Sequence, residues 1–169
     1  MVSIALMSSI ADVNSAFPSG MNAAATWSTS LMKARGVAMG QEHRGKGVDV
    51  QLGPVAGPLG RVPEGGRNWE GFSPDPVLTG VAMGQTIEGI QSAGVVACAK
   101  HFIMNEQEHY REAGSDTNFA YSANLDDKTM HELYLWYGIN LSHDLGILTL
   151  IQAICRRSSG RGGCSDVFL

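Results

Sequence analysis

At 169 residues, 44% hydrophobic and 17% charged, the chain has the composition of one soluble globular domain and is too short for two, or for a typical eight-stranded α/β barrel. Its formal net charge of −4 offers no general pull on phosphate backbones and argues against nucleic acid as a partner. No apolar run approaches the roughly 18 residues of a membrane span, and Met1 to Ala11 lacks the basic start of a signal peptide.

Met21 to about His43 reads as an amphipathic helix, with Ala24, Trp27, Leu31, Ala34 and Ala38 on one face, stopped by Gly45 and Gly47. Val48 to Leu52 alternates apolar and polar residues and ends at Gly53-Pro54, the pattern of a strand entering a loop. From Val55 to Asp75 the chain holds Gly57, Pro58, Gly60, Pro63, Gly65, Gly66 and Pro74, too many breakers for a regular element. Its charged residues, with Trp69 and Phe72 as anchors, mark it as an ordered functional loop.

Asp75-Pro76 opens a second helix that runs through Leu78, Val81, Ala82 and Ile90 to Gly94. Val95 to Ala99 is a continuous apolar run, as in a parallel strand covered on both faces, and it ends in Lys100-His101. Asp126 caps a third predicted helix carrying Met130, Leu133 and Trp136. The alternation predicts an α/β fold with a parallel sheet and functional groups at the C-terminal ends of its strands. Tyr137 to Ile154 has no clean caps, and Arg156 to Cys164 is a run of Arg, Ser and Gly unlike the design before it.

Cys98 lies in the apolar run and is expected to be inert core; Cys155 and Cys164 lack the spacing of a metal site, so no metal and no cofactor is assigned. Arg61, Arg67, Lys100 and His101 are expected to gather nitrogen donors around one crevice, a chemistry that suits hydroxyls and equally an anion. Arg61 and Glu64 are read as a loop staple. Nothing in the spacing selects Glu106 or Glu108 as a general acid; His109, Glu112 and Asp116 resemble a solvated polar loop more than a metal site, and the whole stretch reads as structural. His131 and Glu132 are expected to pack or face solvent.

Ser15-Ala-Phe-Pro-Ser-Gly20, Gly47 through Arg61, Pro63-Glu-Gly-Gly-Arg-Asn-Trp-Glu-Gly-Phe72 and Ala99-Lys-His-Phe102 resemble fungal family 3 β-glucosidases. The likeness covers roughly Ala11 to Trp136, including Asn105 to His109 and His131 to Trp136. It implies a partial (β/α) barrel of the triosephosphate isomerase type over residues 1–136, followed by a divergent tail over 137–169 such as a frameshift or retained intron would produce. It also implies removal of terminal non-reducing β-D-glucose from cellobiose and related cello-oligosaccharides with retention of configuration, through a glycosyl-enzyme intermediate. By position, Arg67, Lys100 and His101 match the residues that hold the hydroxyls of the innermost glucose.

Other family features have no counterpart here. No Ser-Asp-Trp motif, the site of the family's nucleophile, follows Lys100-His101, and Asp166 after Ser165 lacks its surroundings. The acid/base Glu comes from a second domain, and the upstream Asp and Arg contacts fall where this chain has Ser3 to Ile10. The expectation is an inactive piece of a secreted-type β-glucosidase. The other readings are a non-catalytic sugar-binding module or pseudoenzyme, and an open barrel that aggregates.

Overall fold

A computed structural model describes residues 13–57, 59–109, 111, 123–136 and 150–153, the last four by backbone alone. The expectations for Ser3 to Ile10, Glu112, Asp116, Cys155, Cys164 and Asp166 lie outside these residues, as does most of the stretch after Trp136.

Two helices stand where the sequence predicts one. Helix α1 (Gly20–Ala25) is capped by Ser19, whose side-chain oxygen accepts from the Asn22 N–H at 3.2 Å. Helix α2 (Thr29–Gly45) is capped in the same way by Ser28, from the Leu31 N–H at 3.3 Å. Between them Trp27 takes φ 53°, which breaks the helix. The predicted apolar face is therefore wrong: Trp27 is 76% exposed and Leu31 55%, while Met32, Gly36, Met39, Gly40 and His43 are buried.

Close backbone approach explains the change of face. Helix α3 (Pro76–Ser92) packs on α2 so tightly that a Cβ on Gly36 would lie 2.5 Å from the Thr86 carbonyl oxygen. On Gly40 it would lie 2.8 Å from that of Ile90, and on Gly89 2.5 Å from that of Lys33. Glycine adds nothing to hydrophobic periodicity, so this contact is silent in an apolar-residue count. The start of α3 is as predicted, with Asp75 Oδ1 accepting from the Leu78 N–H at 2.7 Å and Pro76 in the first turn.

Strands β1 (Val50–Gln51), β2 (Val96–Phe102) and β3 (Leu150–Ala153) form a parallel sheet in that order, and β1–α3–β2 is a βαβ unit. Val50 pairs with Val96, and Cys98 with Leu150. The fold class is α/β with parallel strands, as the alternation predicts. Strand β1 is shorter than expected because Gly53-Pro54 interrupts it, yet the chain rejoins β2 at once: Lys100 N–H donates to Pro54 O at 3.0 Å and Ala56 N–H to Lys100 O at 2.6 Å. Strand β3 lies within the stretch read as a tail.

Met32, Met83, Ile87, Ile90, Ala97 and Ala99 lie at the centre of the core between helices and sheet, and Cys98 is fully buried with its thiol pushed up by burial. Asp126 caps α4 (Asp127–Thr129), accepting from the Thr129 N–H at 2.9 Å, and the chain continues as a π-helical turn over Met130–Tyr134. That turn buries Tyr134 on the core, with Met130 and Leu133 packed beside it, and leaves His131, Glu132 and Trp136 exposed. Among the described residues no helix is long and apolar enough to cross a membrane.

Candidate functional site

The breaker-rich loop between β1 and α3 is ordered by its own polar groups. It forms two 3₁₀ turns, Pro63–Gly65 and Asn68–Glu70, tied together by the Asn68 amide donating to Val62 O at 2.6 Å. Phe72 is buried and Trp69 partly so, which fits their expected role as anchors. The loop docks on the segment after β2, where the Glu108 N–H donates to Gly65 O at 3.0 Å. A Cβ at Gly65 would lie 2.8 Å from the Glu106 carbonyl oxygen and 2.6 Å from Asn68 Oδ1, so this docking requires glycine.

Docking brings Arg67 over the end of β2. Its Nε donates to Glu70 Oε1 at 2.6 Å and its Nη2 to Glu70 Oε2 at 3.0 Å, a two-pronged pair. Nη1 donates to Glu108 Oε1 at 3.1 Å, and the other Glu108 oxygen accepts from Arg111 Nε at 2.8 Å. Lys100 Nζ lies 3.5 Å from Glu70 Oε2. His101 Nδ1 is 2.8 Å from the Gly57 carbonyl oxygen, which can only accept, so Nδ1 carries the proton. Nε2 is then an acceptor, matched to Arg67 Nη2 at 3.2 Å. The Asn105 amide lies 3.1 Å from Nδ1.

The electrostatics follow from burial and from these pairings. Lys100 and His101 are only 3% and 2% exposed. Burial drives the Lys100 ammonium down to about 8 against the opposing pull of Glu70. Burial, reinforced by the Lys100 charge, drives His101 to about 3, so it is neutral at ordinary pH. For Glu70, burial alone would raise the carboxyl, but the Arg67 hydrogen bonds and the Lys100 charge outweigh it and hold the group below the usual range. Glu108 is lowered against the same opposing burial by its bonds to Arg111 and Arg67, and Arg67 is raised by the two carboxylates.

Three of the four predicted nitrogen donors come together: Arg67, Lys100 and His101. Arg61 does not join them. It lines a separate cleft with Glu106, Tyr134 and Leu125, where Tyr134 is raised to about 12 by burial and by Glu106. The strand also runs one residue further than predicted, so Lys100 and His101 lie at the C-terminal end of β2 just before its last residue, Phe102. The segment after β2 is tied into the fold: Asn105 is 1% exposed, Glu106 Oε1 accepts from the Leu59 N–H at 3.1 Å, and Glu108 bridges two arginines. The Arg67–Glu70 pair has a local signal in its spacing of three and is among the staples the loop's charges offer, but the 41 residues from Arg67 to Glu108 leave none.

Beside this network lies a cavity of about 70 Å³, lined in part by Lys100, Glu70, Trp69, Gln51 and Arg35. Arg67 and Lys100 face two carboxylates, Glu70 and Glu108, so the inner cluster is close to neutral while remaining dense in N–H groups. That balance favours an uncharged polyhydroxyl ligand over an anion, the two possibilities that residue chemistry alone leaves open.

Residues 5–130 match the glycosyl hydrolase family 3 N terminal domain. The chain is 66% identical over 131 residues to beta-glucosidase A of Aspergillus kawachii, a match covering 74% of this chain and 15% of that protein. Among solved structures it resembles the Chaetomium thermophilum beta-glucosidase, with a TM-score of 0.72 and 64% identity over 76% of this chain and 16% of that one. It also resembles beta-glucosidase 3B of Thermotoga neapolitana, solved in complex with alpha-D-glucose, with a TM-score of 0.67 and 35% identity over 76% of this chain and 17% of that one. The chain thus spans about 15% of the length of the curated relatives it matches. By sequence and by fold it belongs to glycosyl hydrolase family 3, whose members matched here are β-glucosidases built on an α/β barrel-like N-terminal domain.

Proposed function

We propose that this chain forms the glucose-holding wall of the innermost subsite of a retaining β-glucosidase, with Arg67, Lys100 and His101 donating and accepting hydrogen bonds to the sugar hydroxyls. The carrying observation is the charge-compensated cluster at the end of β2, in which Arg67 and Lys100 meet the carboxylates of Glu70 and Glu108 and Arg67 also reaches His101. A neutral His101, with Nδ1–H fixed on Gly57, accepts from Arg67 Nη2 at Nε2 and can accept from a hydroxyl there only in place of that contact, while Arg67 and Lys100 act only as donors. Between them they match hydroxyls, which do both. The glucose complex of the Thermotoga relative supports the same ligand class.

In this reading residues 1–136 are part of a (β/α) barrel wall, residues 137–169 depart from the family's sequence although Leu150–Ala153 still pairs with β2, and the parent enzyme is secreted. The wall orients the glucose ring and strengthens its grip as the ring distorts, but makes no bond to the anomeric carbon. Double displacement needs two carboxyl groups flanking the scissile bond. The carboxylates nearest the site, Glu70 and Glu108, are both committed to arginine. The 169-residue chain therefore binds glucose without hydrolysing β-glucosides. The test is p-nitrophenyl-β-D-glucoside hydrolysis alongside calorimetric titration with glucose, with size exclusion and circular dichroism to establish a folded monomer. Binding without turnover is expected. Turnover above a Lys100→Met control would overturn the assignment of a purely binding role.

A further inference from the structure

We infer that Glu70 is the positioning residue of the sugar site, a single buried carboxylate that sets both the Arg67 fork and the Lys100 ammonium. The inference rests on the reading of Arg67, Lys100 and His101 as glucose contacts, and it adds a residue that itself need not touch the sugar.

The geometry is specific. The Glu70 side chain is 6% exposed and uses both oxygens on Arg67, and Oε2 is shared with Lys100 Nζ at 3.5 Å. Arg67 and Lys100 come from different elements, the loop before α3 and strand β2, and among the described residues Glu70 is the group that ties the two cations to each other. It stands at the end of the 3₁₀ turn Asn68–Glu70, whose first backbone bond, from the Glu70 N–H to Arg67 O at 3.1 Å, fixes the carboxylate relative to the guanidinium. Glu108 also grips Arg67, but its side chain is 32% exposed and it is shared with Arg111, so it braces the outer side of the fork.

Removing the Glu70 charge alters the two cations differently. Arg67 stays protonated and keeps Glu108. Lys100 loses the group that most favours its charged form, while the groups that face it otherwise, Arg67 and the neutral His101 and Cys98, do not replace it. Lys100 then titrates lower than about 8, and glucose binding that uses its ammonium fails at a lower pH.

The experiment compares the wild-type chain with Glu70→Gln and Glu70→Asp, following D-glucose binding by calorimetry from pH 5 to pH 9 and the Lys100 titration by carbon-13 NMR of its ε-carbon, with circular dichroism as a check on folding. Glu70→Gln is expected to weaken glucose binding about tenfold and to move both the alkaline loss of binding and the Lys100 titration to lower pH. Glu70→Asp keeps the charge but shortens the reach, so it is expected to weaken binding while leaving the alkaline limb nearer its wild-type position. A merely structural role would change affinity without moving the Lys100 titration. Wild-type binding with an unchanged affinity and alkaline limb in Glu70→Gln would overturn the role of Glu70 alone. Absence of glucose binding by the folded wild-type chain would overturn both the inference and the reading beneath it. If Glu70→Gln does not fold, Glu70→Asp decides: affinity equal to wild type would overturn the positioning role.

Discussion

Glu70 accepts from Arg67 twice, at 2.6 and 3.0 Å, in a site where the carboxylate is almost wholly withdrawn from water. A planar fork meeting a carboxylate edge cannot be reproduced by a single ammonium. Arg67→Lys is therefore expected to behave nearly as badly as Arg67→Ala, each destabilising the chain by about 3 kcal/mol because the buried Glu70 loses its two-pronged partner. Urea unfolding at pH 7 checks this, with a retained midpoint in Arg67→Lys as the contrary outcome.

Acid should destabilise the protein through His101. Its folded pKa is held down to about 3, so between pH 6.5 and 3 the unfolded chain takes up a proton that the folded chain refuses. Stability from this residue is complete above about 6.5 and is lost as the pH falls towards 3. His101→Gln should flatten the wild-type loss between pH 6.5 and 4 by roughly 3 kcal/mol, measured by urea unfolding across that range.

Lys100 separates stability from function. Its folded pKa lies below its unfolded value, so the buried ammonium disfavours the folded state below about pH 8, and that cost fades as pH rises towards 10.5. Lys100→Met leaves Glu70 still paired with Arg67. It should change stability by no more than about 1 kcal/mol at pH 7, remove the alkaline rise in stability and abolish measurable glucose binding. A variant that both binds glucose and keeps that rise would contradict the role given to Lys100.

Gly36→Ala and Gly89→Ala should each destabilise the chain by about 2 kcal/mol, because the added methyl meets backbone oxygen at 2.5 Å instead of a side chain that could move aside. Thermal unfolding of each variant tests this, and an unchanged midpoint would show that α2 and α3 can separate at little cost.

The parts legible in the sequence are those with local causes. Asp75-Pro76 and Asp126 marked helix starts because a cap needs only a side-chain oxygen and a free N–H three residues on. The apolar run before Lys100 marked the central strand, and the family motifs brought Arg67, Lys100 and His101 together before their distances were known. The break at Trp27 was not legible, since its neighbours Thr26 and Ser28 are tolerated in helices. Nor was the glycine seam between α2 and α3, which carries no apolar signal. The partners of Glu108 and Asn105, Arg67 and His101, carry no local signal because they meet only after the loop folds onto the end of β2.

The most direct test of the central claim is a crystal structure of the 169-residue chain with D-glucose bound. The account predicts the sugar at the end of β2 with its hydroxyls within hydrogen-bonding distance of Arg67, Lys100 Nζ and His101 Nε2, and the Glu70 carboxylate still holding Arg67 behind it. Glucose ordered elsewhere on the chain, with these three side chains unchanged and out of contact, would contradict it.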